Sequence, residues 1–169
     1  MRWNPAAYGP EIAAILALDG NGERFMSLAD PHCVSEDARG RIALARIPET
    51  LRAGLYLYFG CWTDAHEVAQ GINTREGSYW HAMVHRQEPD AGNAGYWFGQ
   101  VGTHPIYAEL GELANEPGLA PWNPRKFIDY CERARRESGS AMERRAQELQ
   151  QLEWQLLFDY CAKRQGQSS

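Results

Sequence analysis

The sequence predicts an all-α fold, an irregular bundle or array of antiparallel helical hairpins. Three observations carry that expectation. Apolar residues recur at three- and four-residue spacing along nearly the whole chain. Helix start and stop signals punctuate it at short intervals. No segment alternates apolar and polar residues as a half-buried strand would. The best strand candidate, "LYLYF" at residues 55–59, sits between helical patterns and is read as helix.

The chain has 169 residues, which suits one helical domain, 1–169, with N-terminal helices and loop at 1–46, central hairpins at 47–115 and long C-terminal helices at 124–164. About six to eight helices are expected. "PEIAAILALDG" gives a first helix, with Ile12, Ile15 and Leu16 on one face. "ERFMSLADP" reads as a short helix ending before Pro31, and residues 32–46 as a short helix plus loop. "PETLRAGLYLYFG" starts near Pro48 and stops at Gly60, with Gly54 allowing close packing. "WTDAHEVAQGI" follows, starting at Thr63 or Asp64, and "SYWHAMVHRQE" comes next. Pro89 ends that helix, because the residue before a proline is pushed out of the helical region. Asp90 caps "AGNAGYWFGQV", Gly102 stops it, and His104-Pro105 opens "PIYAELGELA". After a proline-rich loop, Asn123-Pro124 starts "RKFIDYCERARR", which Gly139 separates from the last helix. That helix shows an apolar stripe of Ala146, Leu149, Leu152, Leu156 and Tyr160, and its Glu and Arg residues are read as a solvated face. The tail after Lys163 is expected to fray.

Composition narrows function. The hydrophobic share is 44% and the formal net charge −5, which argues against a nucleic-acid binder. No apolar run reaches the roughly 18 residues that span a bilayer, and no secretory leader is visible. The expectation is a cytoplasmic protein with neither nucleic acid nor membrane as partner. A small molecule, a protein or a second copy of the chain remain as candidate partners. Cys33, Cys61, Cys131 and Cys161 form no CxxC unit and read as scattered small apolar residues rather than a disulfide framework. No phosphate loop, EF-hand or nucleophile elbow is present.

Chemistry concentrates at residues 77–105. His81 and His85 are four apart, on one helix face and about 6 Å apart along the axis, a spacing that lets two imidazoles reach one ion. His66 and Glu67 lie in the preceding helix and would face them if the two pack antiparallel. His66, Glu67, His81 and His85 are therefore the candidate metal ligands, for zinc, iron or manganese. The HExxH arrangement is absent, since Ala82 follows His81. Without metal, a histidine beside Glu67 or Glu88 could serve as a general acid–base pair. Arg86, Glu88, Tyr96, Trp97 and His104 are the candidate ligand-binding residues: the Arg and His for an anion, the aromatics, with Tyr79 and Trp80, as pocket walls. The competing expectation is structural. The aromatics would be core, Glu88, Asp90 and Asn93 would cap the turn, Arg86 would pair with Glu88 or Asp90, and His104 would cap the next helix. No catalytic residue is assigned, and whether the chain is an enzyme is left open.

Two resemblances add to this. The run "YWHAMVHRQEPDAGNAGYWFGQVGTHP" carries Trp80, His81, His85, Arg86, Glu88, Asp90, Asn93, Tyr96, Trp97, Gly102, His104 and Pro105. In these it resembles the signature region of a family of uncharacterised bacterial helical proteins. That implies a shared local structure and no particular chemistry. The rhythm of "AGLYLYFGCWTDAHEVA", with the second hairpin after it, is similar to tetratricopeptide units, which implies a tetratricopeptide-like central part. Two functions follow: a His/carboxylate small-molecule or metal site between the helices at 63–70 and 78–88, or a tetratricopeptide-like interaction module without catalysis.

Overall fold

A computed structural model describes residues 2–165 of the chain. Of the tail after Lys163, expected to fray, Arg164 and Gln165 are helical, and residues 166–169 lie outside the described residues. Among the described residues there are nine α-helices and no strand: α1 (Pro10–Leu16), α2 (Glu36–Leu44), α3 (Glu49–Tyr58), α4 (Trp62–Gln70), α5 (Arg75–Gln87), α6 (Ala91–Val101), α7 (Ile106–Ala114), α8 (Pro124–Ala134) and α9 (Ala141–Gln165). The all-α expectation holds, including helix for "LYLYF".

Side-chain oxygens start five of these helices, with Ser140 Oγ accepting from the Glu143 N–H at the start of α9. Ser35 accepts from the Ala38 N–H, Thr74 from Gly77, Asp90 from Asn93, and Asn123 from Arg125 and Lys126. Each satisfies an otherwise orphaned donor of a first turn. Thr74 explains why α5 begins at Arg75, three residues before the expected Ser78.

One segment departs from its helical expectation. Residues 23–31 form no helix. Met26 and Leu28 are buried two residues apart, the period of extended chain. Its carbonyls are met from outside: Gln150 Nε2 donates to Met26 O and Ser27 O, and Arg135 donates to Leu28 O at 2.9 Å. Side chains arriving from distant helices satisfy this backbone, so it does not need its own ladder.

The core gathers on α9, which packs on α3, α7 and α8. Trp154 lies against Trp3, Tyr58 and Phe158, and its Nε1 donates to Gly54 O at 2.8 Å. A Cβ on Gly54 would sit 2.9 Å from the Trp80 ring, so the close packing expected at this glycine is real. The stripe of α9 is broader than the sequence pattern implied. Gln150, Glu153, Trp154, Leu157, Phe158 and Cys161 are buried with it, while Leu152 and Tyr160 are half-buried. A helix packed on three neighbours loses its solvated face over much of its circumference. Glu153, fully buried, therefore corrects the expectation that the acids and bases of α9 are all solvated.

The cysteine expectation also changes. Cys33 and Cys61 form a disulfide, while Cys131 and Cys161 are free and buried. The close approach rests on Gly60. It has φ +70°, and a Cβ there would meet His32 O at 2.3 Å. Two segments 28 residues apart are brought together by tertiary packing, which cysteine spacing does not reveal.

Candidate metal centre

Helices α4, α5 and α6 pack in succession. Trp62 at the start of α4 reaches Val84 near the end of α5, and His66 reaches His81, so the two helices run in opposite directions. The Trp62 Nε1–H···O bond to Val84, 3.1 Å, fixes the register. That register brings three imidazoles together: His66 from α4, and His81 and His85 from one face of α5.

His81 Nε2 lies 3.0 Å from His66 Nε2 and 3.1 Å from His85 Nε2. The three ligand nitrogens all fall within 4.8 Å of one another. Two nitrogens bound to one tetrahedral zinc are separated by about 3.3 Å, given zinc–nitrogen bonds of about 2.0–2.1 Å. The two short separations are close to that value.

Protons alone fit this cluster poorly. His85 Nδ1 is 3.1 Å from Glu88 Oε2, an acceptor, so Nδ1 carries the ring proton and Nε2 presents a bare lone pair. His81 Nε2 faces both neighbours with one lone pair or one hydrogen, while its Nδ1 is buried without a hydrogen-bond partner. A hydrogen shared along one edge leaves the other edge unsatisfied, whereas a cation among the three satisfies them all. Protonation is also disfavoured. Burial, then the neighbouring His66 and His85, push His81 down to about 4. Burial, then His85, lower His66. Neutral imidazole is the form that ligates metal.

The rings are held from both sides. Trp62 stacks on His66, with centroids 5.2 Å apart, and Trp97 of α6 stacks on His81 at 4.1 Å. His85 is 7% exposed and His81 3%, whereas His66 is half-buried, so the cluster opens toward α4. A surface cavity of about 460 Å³ has Trp62 and Glu88, which contact His66 and His85, in its wall, but none of the three histidines lines it.

The structure sorts the candidate residues. His66, His81 and His85 converge. Glu67 does not join them; it is exposed and acts on His66 only through space. Glu88 orients His85 from the side away from the other rings. Trp97 is a wall of the site, and Tyr96 is 58% exposed. Arg86 is not available to an anion, nor does it pair with Glu88 or Asp90. It is buried on another face of α5 and donates to Glu153 Oε2 at 2.6 Å. His104 is buried among Tyr79, Tyr107 and Tyr160, and its Nδ1 accepts from the Ile106 N–H, as a capping residue would. Asp90 takes the capping role expected of it. Sequence reading missed Trp62, although it stands four residues before His66 on the same helix face. It also missed Glu153, for which no local signal exists.

No family model, curated protein or solved structure matches this chain. The reading of the site therefore rests on its own geometry.

Proposed function

We propose that this protein binds one divalent transition-metal ion through the Nε2 atoms of His66, His81 and His85. Glu88 fixes the tautomer of His85, and one coordination position stays open for water or a small molecule. The observation that supports this most is the convergence of three neutral imidazole nitrogens from two helices. Three imidazoles with no carboxylate in the set favour zinc over manganese, which prefers oxygen, and over iron in its common two-His, one-carboxylate setting. A site with three protein ligands and an open fourth position is the kind that activates bound water or polarises a carbonyl.

The test is titration of untagged, chelator-stripped protein with zinc, followed by cobalt. One equivalent of zinc should bind and raise the melting temperature, and cobalt should give the visible bands of a tetrahedral site. His81→Ala should weaken zinc binding by at least about 100-fold, since it removes the central ligand. Wild-type protein that takes up no stoichiometric zinc, and shows no thermal shift with zinc, manganese or iron, would overturn the reading.

A second reading is a tetratricopeptide-like interaction module without catalysis. The consecutive packing of α3, α4, α5 and α6 favours it. It predicts no dependence of partner binding on His81, which the same variant checks.

A further inference from the structure

The disulfide faces a cavity. Cys33 and Cys61 both line the same 460 Å³ surface cavity. Structural disulfides in small domains staple a core; this one lies in the wall of a space that a small molecule can enter. The two sulfurs are not equivalent. Cys33 is half-buried on the loop before α2, and Cys61 is only 2% exposed. Cys61 is also the residue that caps the N-terminus of α4, and no side chain caps that end. A thiolate released there would face the free N–H groups and positive dipole end of a nine-residue helix.

Carbonyls lie near both sulfurs of the disulfide. Cys33 Sγ lies 3.7 Å from Ser35 O, and Cys61 Sγ lies 3.8 Å from Phe59 O. The two segments stay joined without the covalent bond, because Val34 N–H donates to Phe59 O at 2.9 Å. The cavity wall carries Asp30, Glu36, Asp64 and Glu88 against the single guanidinium of Arg39. Arg39 is itself paired with Asp64 at 2.9 Å. The space is therefore electronegative.

We propose that Cys33–Cys61 is a thiol–disulfide exchange site whose partner is a small cationic aminothiol. The incoming thiolate attacks Cys33 Sγ, the Cys33–Cys61 bond breaks, and Cys61 leaves as a thiolate that takes up a proton. A second thiolate then attacks the partner's sulfur in the mixed disulfide. It releases the partner as its symmetrical disulfide, and Cys33 is left as a thiol. Two thiols are oxidised and one protein disulfide is reduced, so atoms and electrons balance. The carboxylates concentrate a cationic thiol and repel an anionic one. The inference does not depend on bound metal.

The experiment uses oxidised wild-type protein, stripped of metal with chelator, in native buffer. It is exposed to cysteamine or to 3-mercaptopropionate at equal thiolate concentration, then alkylated and mapped by mass spectrometry. Cysteamine should open Cys33–Cys61 at least about five-fold faster than 3-mercaptopropionate at low salt, with the difference shrinking at high salt. Circular dichroism should stay native, and Cys131 and Cys161 should stay unlabelled. With cystamine as oxidant, Cys33 in Cys61→Ser should react at least about ten-fold faster than Cys61 in Cys33→Ser, because the 2% exposure of Cys61 outweighs the helix-end stabilisation of its thiolate. Reduction only after unfolding in urea, equal rates for the two thiols, a pair of free thiols in air-oxidised protein, or faster reaction at Cys61 would each overturn the proposal.

Discussion

Helix α5 carries two buried polar clusters, and they solve opposite problems. On one face, Arg86 meets Glu153 of α9, Tyr79 donates to Glu153 Oε1 at 2.9 Å, and Gln150 stands beside the guanidinium. Burial works most strongly against the charge on Arg86, but the Glu153 carboxylate, Cys131 and Tyr79 together outweigh it, and its pKa rises above the usual value. On the other face, His81 and His85 meet His66, and no opposite charge lies among the three nitrogens. The first cluster sets a positive charge against a negative one within the fold, joined through Nη2 of Arg86, while its Nε and Nη1 are buried without a hydrogen-bond partner. The second brings like imidazole nitrogens together with no opposite charge among them, which is why we propose a cation there. Within one helix, then, one buried polar residue meets a partner of opposite charge and the other meets its equals, and only the second arrangement suggests a ligand.

The largest effect should come from breaking the first cluster. Glu153→Ala should lower stability by about 3–5 kcal/mol in denaturant titration, because it strands the Arg86 charge. The double variant Arg86→Met, Glu153→Leu should recover much of that loss. If the double variant is as unstable as the single one, the pair is not the self-contained unit described here. His104 separates burial from metal chemistry, since it is buried among Tyr79, Tyr107 and Tyr160 and belongs to neither group of potential metal ligands among the described residues. Burial pushes it down to about 4, against the upward pull of Glu76, with Arg75 and Arg164 adding to the lowering. Its folded value lies below the unfolded one of about 6.5. The native state thus binds fewer protons than the unfolded state between these values. Stability is fully present above pH 6.5 and falls as pH drops toward 4, by on the order of 2 kcal/mol. Thermal melts of His104→Gln should lose that part of the acid sensitivity.

The second cluster answers to a gentler change. Glu88→Gln should weaken zinc binding about 10-fold, because the carboxylate that fixes the His85 tautomer is lost. Its effect on metal-free stability should be within about 0.5 kcal/mol, as for an exposed ion pair. An equal loss of stability and affinity would mean that Glu88 is merely structural. Smallest is Asp90→Ala, which removes the α6 cap and should cost about 1 kcal/mol with no change in zinc affinity.

Much of the fold was legible because local rules governed it. Asp90, Asn123, Pro89 and Gly102 mark helix ends through chemistry that acts within a few residues, and those ends stand where the sequence put them. The His81/His85 face was legible by the same token, and His66 needed only the antiparallel pairing of two neighbouring helices. What stayed hidden depends on contacts far apart in the chain. Arg86 and Glu153 are 67 residues apart, and Cys33 and Cys61 are 28 apart. Residues 23–31 look helical locally, yet Gln150 and Arg135 arrive from the far end of the chain to satisfy an extended backbone. Glu67 failed for a geometric reason: it is the next residue after His66, so its side chain leaves the helix about 100° away from the cluster.

The pairing of Arg86 with Glu153 sets an order of events during synthesis. Every helix that surrounds Arg86 is translated before α9. Until residue 153 clears the ribosome, the guanidinium has no carboxylate to enter the core with, and Trp154, next in line, has not yet covered Gly54. At about 5–20 residues per second, the 67 residues between the two charges keep this α5 face unsealed for roughly 3–13 seconds. The histidine face of α5 needs only Glu88 and Trp97 after residue 85, so its three imidazoles can come together while the other face is still open to water.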